Sequence, residues 1–224
     1  MPLVTLYRIP IAMPDHVLTR LSRLLSPDER ARAGRYHFEK DRSRFIASRG
    51  AMRIILGAHL HLAPERVGFC YGEQGKPALA KASADQPLSF NLSDSGDWAV
   101  LGVTGAGEIG VDIEALRPIP EITSIAERFF APSEEAWLRS HPLHDQPWTF
   151  HRIWTCKEAY LKALGTGLSL NTQSFAFDFT VKPARLIGPD TGWRIIEFTP
   201  APSYAGAVCV PGEGWEISLR DWMP

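Results

Sequence analysis

The sequence predicts an α+β protein of two pseudo-symmetric subdomains that face each other across a cleft. Three observations carry this. Residues 107–118, "GEIGVDIEALRP", alternate Ile109, Val111 and Ile113 with Gly110, Asp112 and Glu114, the two-residue period of a strand with one face in the core. Segments 40–60 and 153–165 are helical, the second stopping at Gly165. Short motifs also recur in the same order: "SPDE" (26–29) with "APSEE" (131–135), "RGAMRIILG" (49–57) with "KEAYLKALG" (157–165), and "KPAL" (76–79) with "KPARL" (182–186). Pro27 and Pro132, Gly57 and Gly165, and Pro77 and Pro183 stand 105, 108 and 106 residues apart, which indicates a duplicated unit. The halves divide as 1–104 and 105–224, and the cleft between them is the expected place for a ligand.

In chain order, residues 3–9 form a strand and 15–25 a helix. In "SPDE", Ser26 is the N-cap of a second helix, Pro27 takes its first position and Glu29 closes a capping box. A longer helix over 40–60 buries Phe45, Met52, Ile55, Leu56 and Leu60. "GEQGKPAL" (72–79) is a turn leading into a loop, and "SFNLSDSGDWAVLGVT" (89–104) runs into a strand. "GAG" at 105–107 then reverses the chain into the acidic strand; alone it marks a turn, not a nucleotide fingerprint. The 153–165 helix stops at Gly165.

A chain of 224 residues can bury a sizeable core, and 45% hydrophobic with 10% aromatic content carries no signature of disorder. A net charge of -1 argues against a protein given over to nucleic acid or a membrane surface. Yet from Arg20 to Arg53 ten Arg and Lys stand against four acids, which reads as solvated helix faces or as an anion-binding surface. Cys70, Cys156 and Cys209 are odd in number and far apart, the pattern of reduced thiols in a cytosolic protein. The first residues lack the form of a signal peptide, and no run approaches the ~20 apolar residues of a membrane span. These features predict a soluble, cytoplasmic protein.

Asp112 and Glu114 share one side of their strand, and two carboxylates side by side repel each other unless a cation joins them. Glu158 and Lys162 are neighbours on one face of the later helix at i and i+4. An isolated pair of that kind is ordinarily a surface ion pair worth well under ~1 kcal/mol. Together with the acidic strand, it fits a metal site. Carboxylate oxygens with room for water and phosphate suit Mg²⁺, whereas zinc favours His and Cys. The repeat breaks at one informative place: Gly50 of the first half aligns with Glu158 of the second, so the second half carries the extra carboxylate.

These residues resemble the 4′-phosphopantetheinyl transferases, in the double-length form that activates surfactin synthetase (the Sfp type). The resemblance rests on "GVDIE", "FHRIWTCKEAYLKALGTGLSL", "GKPAL" and "FNLSDS" in the right order, with "SPDE" and "KDRSRF" also fitting, and runs from about Leu24 to Phe177. It implies the phosphopantetheinyl transferase fold. The implied activity is transfer of the phosphopantetheine arm of coenzyme A to a serine of an apo acyl or peptidyl carrier protein, with release of 3′,5′-ADP. It further implies Mg²⁺ held by Asp112, Glu114 and Glu158. Glu158 would serve as general base, directly or through a metal-bound water, with Lys162 against the phosphates. Arg44, Arg53, Lys76, Pro77 and Lys157 fall where the family binds coenzyme A, and Ser93, Asp94 and Ser95 would line the pyrophosphate. The first half would then bind the nucleotide end, with its basic excess suiting the 3′-phosphate and carrier docking. The second half would hold the metal and catalytic residues, and Trp154 belongs to the core. Short members of the family trimerise from single halves, so a double-length chain implies a monomer.

One position departs from the family pattern F-N-x-S-H-S: this chain has Asp94 where the family has the His that contacts the pyrophosphate. A carboxylate ~4 Å from a phosphate oxygen costs about 4 kcal/mol per unit charge at an effective dielectric of ~20. Asp94 is therefore expected to be turned away, protonated, paired with a cation or drawn to metal, or simply to cap a turn. Two rival readings follow from the same residues: a coenzyme A or carrier-binding module silenced by Asp94, and a Mg²⁺-dependent nuclease, which should be more broadly basic. Which of the fatty-acid, polyketide or peptide synthases supplies the carrier is not written in the chain.

Overall fold

The same run of elements occurs twice along the chain. The computed structural model describes residues 1–81, 87–188 and 192–224. The first pass is β1 (Leu3–Pro10), α1 (Asp15–Leu24), α2 (Pro27–Ala33), α3 (Glu39–Leu60), β2 (Phe69–Tyr71), β3 (Pro77–Leu79), β4 (Ser89–Ser95) and β5 (Trp98–Thr104). The second is β6 (Gly110–Ala115), α4 (Ile122–Phe129), α5 (Pro132–Arg139), α6 (Gln146–Leu164), β7 (Ala176–Asp178), β8 (Arg185–Ile187), β9 (Trp193–Phe198) and β10 (Tyr204–Pro211), followed by β11 (Glu216–Asp221).

Sheet order repeats as well. In each half the first strand pairs antiparallel with the last, and the last with the one before it, giving β1–β5–β4 and β6–β10–β9; β2–β3 and β7–β8 form small hairpins. β11 then crosses back to pair in parallel with β1, so a division at residue 104 does not hold for the last strand.

The layers follow from which face of each strand is apolar. Ile9, Ala99, Leu101 and Val103 pack with Ala51, Met52, Ile55 and Leu56 of α3. Ala207, Cys209 and Ile195 pack with Ile153, Cys156 and Ala159 of α6. The opposite faces of the two sheets meet each other, Val4, Leu6 and Val100 against Val111, Ile113, Val208 and Val210. The result is helix, sheet, sheet, helix.

Several sequence expectations are met in detail. Ser26 Oγ accepts the Glu29 amide and Glu29 Oε2 accepts the Ser26 amide, which is the reciprocal capping box. Gly165 ends α6 with φ 69°, a left-handed conformation that suits glycine. Others need correction. "KPAL" is not a loop, because 77–79 pair with β2. The long second helix begins at Gln146, earlier than 153, since Pro147 sits in its first turn and Phe150 is already core. Leu60 is only half-buried.

Candidate functional site

Gly110 is the reason α6 can lie on β6. A Cβ at this position would stand 1.9 Å from the Ala159 carbonyl oxygen and 2.4 Å from the Ala163 nitrogen, both backbone atoms. With only hydrogen there, one face of β6 meets the helix backbone directly. The next two side chains on that face, Asp112 and Glu114, come beside the α6 turn that carries Glu158 and Lys162.

Asp112 is buried. Its Oδ1 accepts from Lys162 Nζ at 2.6 Å and from Ser93 Oγ at 2.9 Å. Its Oδ2 is buried and has no hydrogen-bond partner among the described residues. Glu114, half-buried, accepts from Ser95 Oγ at 2.7 Å. Glu158 is half-buried on α6. All three carboxyls are pushed above their ordinary values, in each case mainly by burial. For Glu158 the negative charge of Asp112 adds to the effect and Lys162 opposes it. For Asp112, Lys162 and Ser93 pull the value back. The three acids therefore share one charge environment.

They do not form a ready-made cage. Among the described residues no group of three His, Cys, Asp or Glu is placed to hold a metal ion by itself. Mg²⁺ rarely uses such a cage: it keeps several waters and binds through one or two carboxylates together with substrate phosphates. An all-oxygen donor set with a buried, unpartnered carboxylate oxygen at its centre fits that mode.

The remaining sequence-predicted residues divide into two groups. Lys76, Pro77, Arg44 and Asp94 are at least partly exposed. Lys76 Nζ reaches across from the first half to Glu108 Oε2 at 2.8 Å and to the Ala163 carbonyl at 3.0 Å. Lys76 and Pro77 line a groove of about 470 Å³ that also takes in Ala163 and Gly165 at the end of α6. Asp94 is paired: Arg44 donates to its Oδ2 at 3.0 Å and to the Gly96 carbonyl at 2.7 Å. Of the outcomes open for Asp94, pairing with a cation is the one observed.

Arg53 and Lys157 are corrections, since neither is available to a ligand. Arg53 is 2% exposed; its fork is spent on Glu29 Oε2 at 2.6 Å and on the carbonyls of Pro64 and Val67. Lys157 is 3% exposed, bonded to Glu134 Oε2 at 2.6 Å and to the Phe175 carbonyl. Each cation neutralises the glutamate that caps the short helix of its own half, because a buried carboxylate needs a partner. Ser93 and Ser95 are corrected in orientation: their hydroxyls turn inward to the acidic strand rather than outward to a cleft.

Sequence reading missed one further element of the site. Arg117, His151 and Trp154 line a hollow of about 390 Å³ beside Glu114, with Ile119, Ile125 and Phe150 as its apolar wall. His151 and Trp154 lie one turn apart on α6; Trp154 stacks on Phe150 and packs against the core, as its position four residues after Phe150 predicts, so pattern alone does not show that it also lines the hollow.

Comparison with known proteins matches both halves of the chain. Residues 13–105 match the family described as 4′-phosphopantetheinyl transferase, N-terminal, and residues 108–209 the 4′-phosphopantetheinyl transferase superfamily. The chain is 42% identical over 213 residues to the 4′-phosphopantetheinyl transferase HetI of a Nostoc species, covering 95% of this chain and 90% of that one. It is 32% identical over 195 residues to the 4′-phosphopantetheinyl transferase psf-1 of Bacillus pumilus, covering 86% and 81%. Two matched halves meeting at the β5–β6 turn, and an acidic strand seated on α6 through Gly110, lead to one statement: this chain belongs to the 4′-phosphopantetheinyl transferases.

Proposed function

We propose that this enzyme moves the phosphopantetheine arm of coenzyme A onto a serine hydroxyl of an apo acyl or peptidyl carrier protein, with Mg²⁺, releasing 3′,5′-ADP. The observation that carries the reading is the convergence of Asp112, Glu114, Glu158 and Lys162 at the β6–α6 contact. In phosphoryl transfer the enzyme mainly positions the reactants and neutralises charge. The serine oxygen attacks the pantetheine-side phosphorus, the bond from that phosphorus to the bridging oxygen breaks, and 3′,5′-ADP leaves with the electron pair.

Glu158 takes the serine proton. A carboxylate within reach of the acceptor hydroxyl can do this directly or through one water. Lys162, 28% exposed at its side chain, holds Asp112 on one side and offers its ammonium to phosphate oxygens on the other. Asp112, Glu114 and Glu158 would hold the Mg²⁺, which supplies positive charge against the pyrophosphate when bound. Lys76 and Arg44 are the cations for the rest of coenzyme A, and Arg44 must first exchange Asp94 for its ligand.

Because one chain supplies both halves, the enzyme acts as a monomer. Its thiols at Cys70, Cys156 and Cys209 form no disulfide, which suits the reducing cytoplasm. Among the described residues no helix is long and apolar enough to cross a membrane.

Intact mass spectrometry tests the reading. Incubated with coenzyme A, Mg²⁺ and an apo carrier protein, the enzyme should add one arm to the carrier, and Glu158→Ala should do so far more slowly. Coenzyme A binding with no gain in carrier mass would instead assign a silent binding module.

A further inference from the structure

The edge of the catalytic strand is closed by side chains where a sheet would ordinarily close it by backbone. On its other edge β6 pairs with β10. Its outward amides at 111, 113 and 115 point to β4, with no strand ladder between the two. Each is met by a side chain from the polar face of β4: Asn91 Oδ1 accepts the Val111 amide at 2.8 Å, Ser93 Oγ the Ile113 amide at 3.4 Å, and Ser95 Oγ the Ala115 amide at 3.1 Å. Three rungs at every second residue stitch the two halves together.

The rungs are not equivalent. Among the described residues Asn91 satisfies an amide and meets no carboxylate. Ser93 and Ser95 also donate onward, to Asp112 Oδ1 at 2.9 Å and Glu114 Oε2 at 2.7 Å. A serine hydroxyl has one proton and two lone pairs. In Ser93 all three are used: the proton goes to Asp112, and the lone pairs take the Ile113 amide and Lys162 Nζ at 3.0 Å. That one oxygen ties strand backbone, carboxylate and lysine into a fixed triangle. Donating to Oδ1, already occupied by Lys162, leaves Oδ2 as the free ligand atom.

We infer that Ser93 and Ser95 are positioning residues for the acidic strand, each fixing one carboxylate against the β6 backbone so that it presents its unshared oxygen to a divalent cation. This rests on the metal reading of the site given above and goes beyond it by assigning the two hydroxyls to the protein's own carboxylates in place of the substrate. Outer partners of this kind orient ligands and set their affinity.

The test uses Mn²⁺ as the probe, with coenzyme A present, and reads uptake from the loss of the free-ion electron paramagnetic resonance signal. Urea unfolding of each variant runs in parallel. Ser93→Ala and Ser95→Ala should weaken Mn²⁺ uptake about 10–100-fold, and Ser95→Thr, which keeps the hydroxyl, should restore it. Asn91→Ala breaks a rung without touching a carboxylate; it should lower the urea midpoint and keep wild-type uptake. If Ser93→Ala does not fold, the half-buried Ser95 carries the test alone. Serine variants that take up Mn²⁺ like the wild type would overturn the inference. So would an Asn91→Ala variant that loses uptake as they do, because the rungs would then be only a seam. No uptake by the wild type would overturn the metal reading itself and this inference with it.

Discussion

On β1, Tyr7 and Ile9 face α3 among Ala51, Met52 and Leu56; on β6, which holds the same place in the second half, Asp112 and Glu114 face α6. The helices differ to match. Gly50 is small because a Cβ there would lie 2.6 Å from Leu21 Cβ, so α1 packs onto α3 at that point. The aligned Glu158 instead stands half-buried with its carboxylate near two others. The outer edges differ too: β1 is closed by the backbone of β11, β6 by the side chains of β4. A duplicated unit thus keeps its fold when one copy fills a space with carbon and the other with charge. The charged copy gives up stability for chemistry, as buried like charges must.

The largest effect should come from removing that charge. Glu158→Ala is expected to slow arm transfer by about 10²–10⁴-fold, the range for loss of a general base. Thermal unfolding of the same variant without metal should show no loss of stability, and a gain if repulsion with Asp112 dominates. A destabilised variant would mean that Glu158 is structural, and that the contrast with Gly50 has been misread.

Next come the two matched ion pairs. Arg53→Ala and Lys157→Ala each strand a buried glutamate, and each should cost about 3–5 kcal/mol in urea unfolding. Arg53→Ala should be the worse. Glu134 uses both oxygens, accepting from Ala131, Lys157 and Phe177, whereas Glu29 Oε1 has no partner among the described residues even now. In whichever variant still folds, the KM for coenzyme A should be unchanged, since both cations are buried.

A smaller effect is one of pH. Asp112, Glu114 and Glu158 have carboxyls raised by folding above the ordinary 3.8 and 4.5. Their favourable contribution is complete below those values and is lost as pH rises through the raised ones. Melting temperature of the metal-free enzyme should therefore carry a downward component above about pH 4. Glu158→Gln should reduce that component, and a Glu158→Gln profile parallel to the wild type would remove Glu158 from the coupled set.

The smallest expected change concerns Asp94. Its pair with Arg44 is about one-third exposed on both sides and worth at most about 1 kcal/mol of stability. Asp94→His, which frees Arg44 and removes a negative charge, should lower the KM for coenzyme A several-fold with kcat little changed. An unaltered KM would show that Arg44 and Asp94 lie outside the binding path.

Much of this was legible in the chain. Alternation around Asp112 and the spacing of Glu158 and Lys162 are local properties, and the fold brings them together as expected. The duplication was readable from three motifs, because capping boxes and helix stops constrain residue identity. Arg53 and Lys157 misled because a cation beside a functional motif looks the same whether it meets a ligand or a capping glutamate; that depends on α2 and α5 folding back onto the long helices. Ser93 and Ser95 were found, but their direction was not. The alternation of Asn91, Ser93 and Ser95 marked a polar strand face, yet its partner, the unpaired edge of β6, lies some 20 residues away and exists only once the halves dock.

The central claim is that β6 and α6 grip one divalent ion against a diphosphate. Crystals of the enzyme with coenzyme A and Mn²⁺, measured for anomalous scattering, address it directly. The account predicts one peak at about 2.1 Å from carboxylate oxygens of the β6–α6 cluster and from pyrophosphate oxygens. A peak bound only by phosphate, with Asp112, Glu114 and Glu158 all beyond reach, would contradict it.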